Sequence, residues 1–224
     1  MTYRETNVLP SRARSTTPRR RLRRGPRESR EHILRAATRE FITHGFAGAR
    51  VNRIVKKAGS NPRMIYHYFG SKSQLYLAVL EEALGALRRE ELLIDVEHLD
   101  PREGLLQLFD FMARHFENNR QLVRLLQGEN VLRAKYIRKS VRVPEMSSPV
   151  LAMIERLIAR GTKAGRWSHE IDGLRLYILM VALSQFHLSN GYTLSVIFGR
   201  DLFDADWRKD RALDARRMLA AFLN

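Results

Sequence analysis

The sequence predicts an all-α protein with a unit of three short helices near the N-terminus and a larger helical bundle after it. From about residue 28 onward, apolar residues recur three and four positions apart, which places them along one face of a helix. Glycine, proline and capping residues stand where this spacing breaks, as they do at helix ends. We place an arm at 1–27, the three-helix unit at 28–75 and the bundle at 76–224.

The arm is predicted to be disordered and rich in arginine. Residues 1–30 contain ten arginines and only two glutamates, and they have too few apolar side chains to offset the entropy of ordering. The whole chain carries a formal net charge of +16. A chain this basic favours a polyanionic partner, because lysine and arginine neutralise phosphates and release counterions.

Composition and motifs also exclude several classes of protein. The chain has no cysteine, which removes disulfides, thiolate nucleophiles and cysteine-type zinc sites and fits a reducing cytoplasm. It has no apolar run of roughly 18 residues and no signal peptide, so we expect a cytoplasmic protein without a membrane partner. Signature motifs of hydrolases, nucleotide-binding enzymes and metalloproteases are missing. We therefore expect no enzyme, no cofactor and no bound metal.

Four helices are predicted at the start of the folded part, over about 28–44, 50–58, 62–68 and 71–93. Gly45 and Gly59 are suited to end the first two helices in a left-handed conformation. Ser60 or Asn61 can cap the third helix, and Pro62 suits its first position, where a missing N–H costs nothing. Ser71 caps the fourth.

The segment from Ala58 to Leu75 reads AGSNPRMIYHYFGSKSQL. Two short helices joined by a glycine-containing turn and backed by a supporting helix form a helix-turn-helix unit. The AG turn, the tyrosine in the third helix, the aromatic–phenylalanine pair and the serine–lysine helix start resemble the signature of the TetR family of bacterial transcription regulators. The resemblance covers about 30–90 and implies a DNA-binding domain at 28–75, with a regulatory and dimerisation domain after it.

The sequence departs from that family pattern around the second and third helices. Ala49-Arg50 stands where many members have a threonine or serine to cap the second helix, and Ser60 replaces a buried aliphatic residue. Arg63 replaces a small residue and adds a long, forked donor to the groove-facing side of the third helix.

Helix geometry and the resemblance together select the expected DNA contacts. The first turn of the third helix meets base edges, and Arg63 there binds either guanine or a phosphate. The resemblance assigns Tyr66 to a phosphate or a base, and Lys72 at the positive end of the fourth helix suits a phosphate. Polar residues near the start of the second helix either touch the flanking backbone or form a solvated face. The full set is Arg50, Asn52, Arg53, Asn61, Pro62, Arg63, Met64, Tyr66, His67, Tyr68 and Lys72.

The arginine arm has two interpretations. It lies in an adjacent minor groove, as homeodomain arms do, or it acts as a non-specific tether to phosphates. Because such an arm would bind any polyanion, a non-specific, nucleoid-type nucleic-acid-binding protein is the alternative to a sequence-specific regulator.

Six further helices are predicted in the bundle. They are a fifth helix opened by Asp100-Pro101-Arg102-Glu103, a sixth between Asn119 and Gly128, a basic seventh from Glu129 to Arg142 ended by Pro144, an eighth over 149–164 capped by Ser148-Pro149, a ninth over 172–190 and a last over 205–223. The ninth is apolar on nearly every side and must be buried all round. A domain of this size rarely covers such a helix alone, so we expect a homodimer. The resemblance agrees and implies a near-palindromic double-stranded DNA operator.

Polar residues interspersed in the apolar helices of the bundle are candidates to line a pocket for a small-molecule effector. Each is otherwise an ordinary hydrogen-bonded or surface residue. They are His115, Arg124, Gln127, Asn130, Trp167, Gln185, His187 and Asn190. By the resemblance, we expect a sequence-specific repressor that such a ligand releases from its operator, by favouring a conformation with misplaced recognition helices.

Overall fold

The computed structural model describes residues 25–96 and 98–224, and every regular element in these ranges is helical. The predicted all-α fold is confirmed. The helices are α1 (Pro26–Gly48), α2 (Val51–Ala58), α3 (Pro62–Phe69), α4 (Lys72–Glu91), α5 (Pro101–Asn118), α6 (Arg120–Val131), α7 (Arg142–Lys163), α8 (Gly173–Phe198) and α9 (Ala205–Phe222), with a short 3₁₀ turn at Ile137–Lys139. No helix in the described ranges is long and apolar enough to cross a membrane.

The predicted arm over 1–27 lies outside the described residues except for its last three positions. Gly25 is the N-cap of α1, and Pro26 occupies the first turn, so the first helix begins two residues before the predicted start. Proline fits there because its ring already has the helical φ and its missing N–H would have no partner in the helix.

The predicted turns between the first four helices are confirmed. Gly45 has φ +62° and interrupts α1, and Gly59 has φ +60° and ends α2 in the left-handed region. Asn61, rather than Ser60, caps α3, since its side chain accepts a hydrogen bond from the Met64 N–H. The Ser71 hydroxyl accepts from the Gln74 N–H and caps α4. Side-chain caps satisfy helix N–H groups that have no partner inside the helix.

Two apolar cores hold the described residues together, and α4 contributes to both. The first core joins α1, α2, α3, the N-terminal half of α4 and part of α6, and the second joins the C-terminal half of α4 to α5, α6, α7, α8 and α9. From α4, Leu75, Val79 and Leu80 enter the first core, whereas Leu84 and Leu87 enter the second. The three-helix unit is therefore attached to the bundle through α4, which is continuous between the two cores, and through α6, which places Leu125 in the first core and Leu122 and Val123 in the second.

The predicted seventh helix over 129–142 is wrong. Gly128 does not end α6, which runs to Val131, and the chain then turns through Arg133 and Ala134, whose φ values of 55° and 58° are left-handed. The buried carboxylate of Glu129 explains the turn. Its Oε1 accepts hydrogen bonds from the backbone N–H groups of Tyr136 at 2.6 Å and Ile137 at 2.9 Å. These bonds hold the loop folded back on the end of α6.

Two prolines that were predicted to mark helix boundaries both lie within α7. Pro144 lies in the first turn of α7 and does not end a helix, and Pro149 lies inside α7 and does not begin one. A proline inside a helix removes one backbone hydrogen bond. The helix nevertheless continues, because Val150, Ile154 and Leu157 bury its apolar face in the second core.

Helix α8 ends eight residues later than predicted, at Phe198, and is not buried all round in the single chain. Gly191 lies inside α8, and its lack of a side chain leaves room for the Phe203 ring, since a Cβ there would lie 2.6 Å from Cζ of that ring. A row of large apolar side chains on α8 remains exposed, comprising Leu174, Ile178, Leu179, Phe186, Tyr192, Val196, Ile197 and Phe198. The last helix, predicted over 205–223, is confirmed as α9.

Candidate DNA-binding site

Helix α3 has a buried face and an open face. Ile65 is fully buried and Phe69 is 6% exposed, so both anchor α3 to the first core. On the opposite side Arg63 and His67 are exposed, and Tyr66 is 54% exposed. Arginine and tyrosine side chains donate hydrogen bonds to phosphates, and arginine also donates to base edges, so this exposed face is suited to contact DNA.

Some of the remaining predicted residues at α3 stabilise the helix, and others face outward. The Asn61 side chain is used as the N-cap, and Pro62 is exposed at the first turn. Met64 and Tyr68 are partly buried against the first core, and the Tyr68 ring also lies 5.1 Å from the His67 ring. The structure therefore places the predicted residues between 61 and 68 along α3 and its N-cap, and divides them between the outer surface of the helix and the side that supports it.

A buried carboxylate from α1 organises the start of α2. Glu40 is fully buried, and its Oε1 accepts hydrogen bonds from the Arg50 backbone N–H at 3.1 Å and from Arg53 Nε at 2.6 Å. Its Oε2 accepts from Lys57 Nζ at 3.2 Å, and Arg53 also donates to the Gly48 carbonyl. We call these residues the Glu40 cluster. It supplies the cap that Ala49 and Arg50 do not, which accounts for the departure in the sequence.

The charge of Glu40 is stabilised by its partners. Burial by itself would raise the pKa of this carboxyl, but the hydrogen bonds from the Arg50 backbone, Arg53 and Lys57 outweigh burial and hold the pKa below its ordinary value of 4.5. Sequence reasoning missed Glu40. The available signal was an acidic residue within the apolar stripe of the first helix, beside Ala37 and Phe41.

Lys72 lies next to two other predicted contacts. Its pKa is lowered by burial and by the positive charge of Arg50, with Arg53 adding to this effect and Glu40 opposing it. The Lys72 ammonium also lies 4.6 Å from the centroid of the Phe46 ring. A phosphate placed between Lys72 and Arg50 would relieve their mutual repulsion. Asn52 is exposed on α2.

The residues predicted to line an effector pocket do not converge. Trp167 donates to the Ile158 carbonyl and covers Gly161, Gln127 donates to the Ser189 carbonyl, and Asn190 donates to the carbonyl of Phe186 in its own helix. Asn130 is exposed, Gln185 is half-buried, and Arg124 lies 3.5 Å from the Tyr192 hydroxyl.

The two histidines of that set line separate cavities. His115 is buried on α5, with Nδ1 2.9 Å from Glu90 Oε2, and lines a cavity of about 210 Å³ between α1, α4, α5 and α6. His187 is buried on α8, with Nε2 3.0 Å from Glu117 Oε1, and lines a cavity of about 110 Å³ beside α5 and α9. The His187 and Arg208 bonds lower the pKa of Glu117 to about 2, with burial opposing them. Within residues 25–96 and 98–224, no cluster of three acidic or histidine side chains is arranged to hold a metal ion.

The chain is similar to known regulators along most of its length. Residues 33–79 match the family model for bacterial regulatory proteins of the tetR family, and residues 101–218 match the model for the C-terminal domain of tetracyclin-repressor-like proteins. The HTH-type transcriptional repressor NicS of Pseudomonas putida is 32% identical over 183 residues, which cover 80% of this chain and 86% of NicS.

Two further similarities come from Streptomyces coelicolor. The HTH-type transcriptional repressor SCO4008 is 28% identical, over 88% of this chain and 97% of that protein. The crystal structure of the transcriptional regulator SCO4942 has a TM-score of 0.62 and 23% identity, and covers 85% of this chain and 97% of that chain. This last likeness shows a shared fold.

Replacing the buried carboxylate tests the role of the Glu40 cluster. We expect Glu40→Gln to lower the free energy of unfolding by about 2 kcal/mol at neutral pH, because the amide loses charge-assisted bonds and leaves buried donors poorly paired. Urea unfolding monitored by circular dichroism measures this loss. The exposed Glu31, which pairs with Arg27 on α1, provides the matched control Glu31→Gln, expected to change little.

The same pair of proteins has a defined pH dependence. Because the pKa of Glu40 is lower in the folded state, its contribution is present at neutral pH and is lost as the pH falls through that lowered value. The gap in stability between wild type and Glu40→Gln should therefore close in acid. A gap that stayed constant, or equal losses in both variants, would contradict the role assigned to Glu40.

Proposed function

Because the chain belongs to the TetR family of bacterial regulatory proteins, we propose that it is a homodimeric repressor released from its operator by a small molecule. It is a sequence-specific DNA-binding transcriptional regulator. Two of its relatives are named transcriptional repressors, which supports repression as the direction of control. Its site of action would be chromosomal DNA in the bacterial cytoplasm.

The open face of α3 carries this proposal. Arg63 and Tyr66 point away from the core at the start and middle of the helix, and we assign them to the major groove. Arg63 has the fork of donors that pairs with the O6 and N7 atoms of guanine. Tyr66 adds a contact to a neighbouring base or phosphate. The other exposed residues of α3, Pro62 and His67, border the same surface.

Phosphate contacts are assigned to the positive patch that flanks α3. The positive charge of Arg50 lowers the pKa of Lys72, and a phosphate oxygen between the two side chains balances both charges. Lys72 also stands at the N-terminus of α4, where free N–H groups favour an anion. Arg53 is held by Glu40 and Gly48, so we assign it to positioning α2 against the backbone.

Dimer formation is assigned to α8 and α9. The exposed apolar residues of α8 are joined by Leu213, Met218 and Phe222 of α9, which are also exposed. A surface this rich in large apolar side chains is costly in water and is typical of an interface. Packing α8 and α9 against their copies in a partner makes a four-helix bundle and gives a symmetric dimer, which suits a near-palindromic operator.

Release by a ligand would act through α4. Since this helix enters both apolar cores, a change in its packing against the bundle changes the position of α3. A ligand that prefers the displaced arrangement by a few kcal/mol shifts the population away from the DNA-binding form.

Two alanine substitutions distinguish base reading from phosphate binding. We expect Arg63→Ala to weaken operator binding by about 1–3 kcal/mol and to relax the sequence preference at one base position of each half-site. Lys72→Ala should weaken binding to all sequences alike and reduce the slope of log K against log salt by about 0.9 for each lost phosphate contact.

Fluorescence anisotropy with an operator, its single-base variants and a salt series measures both effects. Lys163→Ala, at the exposed end of α7, is the control of equal charge change. If Arg63→Ala kept its preference at every base position, the assignment of Arg63 to base reading would be wrong.

Charged residues placed on α8 test the dimer. Ile178 and Phe186 are each 57% exposed, so replacing both with glutamate should leave the protomer folded and abolish the dimer. Sedimentation at micromolar concentration should then show monomers that bind the operator far more weakly. Lys163→Glu is the control and should stay dimeric. A wild-type protein that sediments as a monomer would contradict the assignment.

A further inference from the structure

A buried charged cluster joins the end of α4 to α8. The Arg88 guanidinium is 8% exposed and donates hydrogen bonds to the carboxylate of the fully buried Glu91 and to the Tyr177 hydroxyl on α8. The guanidinium carbon also lies 5.2 Å from the centroid of the Tyr177 ring. We call these residues the Arg88 cluster. It lies at the opposite end of α4 from Lys72.

The Arg88 cluster is incomplete as a hydrogen-bonded network. Arg88 Nε and Glu91 Oε1 are both buried, and neither has a hydrogen-bond partner among the described residues. Burial raises the pKa of Glu91 to about 7, with Arg88 opposing the rise. Burial therefore disfavours the negative charge of Glu91, which makes this carboxyl the partner of Arg88 that can be exchanged.

A cavity lies directly against this guanidinium. Its volume is about 180 Å³, and it is lined by Arg88, Pro144, Ser147, Ser148, Val150, Leu151, Leu174 and Tyr177. An engineered apolar cavity of about 150 Å³ holds benzene. The volume therefore suits a compound of about one ring, with an apolar body against α7 and α8 and a polar end at Arg88.

The positive charge of Arg88 determines which polar group a ligand in this cavity would carry. A guanidinium pairs best with a planar carboxylate, through two parallel hydrogen bonds. Among the described residues that line the cavity, Arg88 is the one cation, so it balances the single negative charge of a carboxylate but not the two charges of a phosphate. When the ligand carboxylate takes the place of Glu91, Glu91 takes up one proton, so the cluster keeps its net charge.

We propose that the cavity between α4, α7 and α8 is an effector site for a compact monocarboxylate, which displaces Glu91 from Arg88. This inference rests on the proposed release by a small molecule and gives that ligand a site and a chemical class. Displacement of Glu91 breaks the link from α4 to α8 and loosens the end of α4. The helix that carries Lys72 and follows α3 then shifts with respect to the bundle.

Calorimetry on the DNA-free protein tests this site, with benzoate, hexanoate and acetate as probes and benzamide as the uncharged match for benzoate. We expect the wild type to bind benzoate at least about tenfold more tightly than benzamide, and Arg88→Met to lose that preference. Glu91→Gln keeps the arginine and removes its competing carboxylate, so it should bind benzoate about threefold more tightly at pH 8. The control is Arg89→Met, which alters an exposed arginine paired with Glu82.

Parallel titrations of the operator separate this inference from the proposed function. Each variant must first bind the operator without ligand, which shows that it is folded, and the carboxylate that binds the free protein should then weaken operator binding. The inference is overturned if no monocarboxylate binds the wild type, if benzamide binds as well as benzoate, if Glu91→Gln shows no gain, or if binding leaves operator affinity unchanged. Intact operator binding in any of these cases leaves the regulator itself in place.

Discussion

The structure depends on one helix that is built into two cores. The N-terminal half of α4 packs through Leu75 and Val79 against the three-helix unit, and its C-terminal half packs through Leu84 and Leu87 against the bundle. Close-packed cores resist small deformations and transmit displacement. The position of α3 relative to α8 and α9, where the dimer is proposed to form, therefore depends on the packing of α4, with α6 as a second element shared by both cores.

Two buried charged clusters lie near the ends of this helix, and they differ in completeness. In the Glu40 cluster, both carboxylate oxygens are satisfied by donors from α2 and the turn before it, which rigidifies the surface beside α3. In the Arg88 cluster, buried polar atoms on both Arg88 and Glu91 have no partner among the described residues. A fully paired network favours a single geometry, whereas a partly paired one specifies its geometry less strictly. The complete cluster lies beside α3, and the incomplete one lies beside the cavity lined by Arg88 and Tyr177.

The sequence was sufficient for features that depend on neighbouring residues. The glycine turns at Gly45 and Gly59, the caps at Asn61 and Ser71, and the outward face of α3 follow from local spacing and side-chain type. It was insufficient where a distant residue decides the outcome. Glu129 folds the loop after α6 through the backbone of Tyr136, and Glu40 caps a helix that begins ten residues later. The pairing of Arg88 with Tyr177 was out of reach for the same reason, because the two residues are 89 positions apart.

A rigid connection between α3 and the dimer interface has a direct test in the spacing of the operator half-sites. Symmetric helix-turn-helix dimers present their recognition helices about 34–36 Å apart, one turn of DNA. Operator variants with five or ten base pairs inserted at the centre are titrated by fluorescence anisotropy at one salt concentration. We expect both insertions to reduce affinity to that of a single half-site, since α4 and α6 hold the three-helix unit that contains α3 against the bundle. Full binding to the ten-base-pair variant, which restores the helical phase but not the distance, would contradict it.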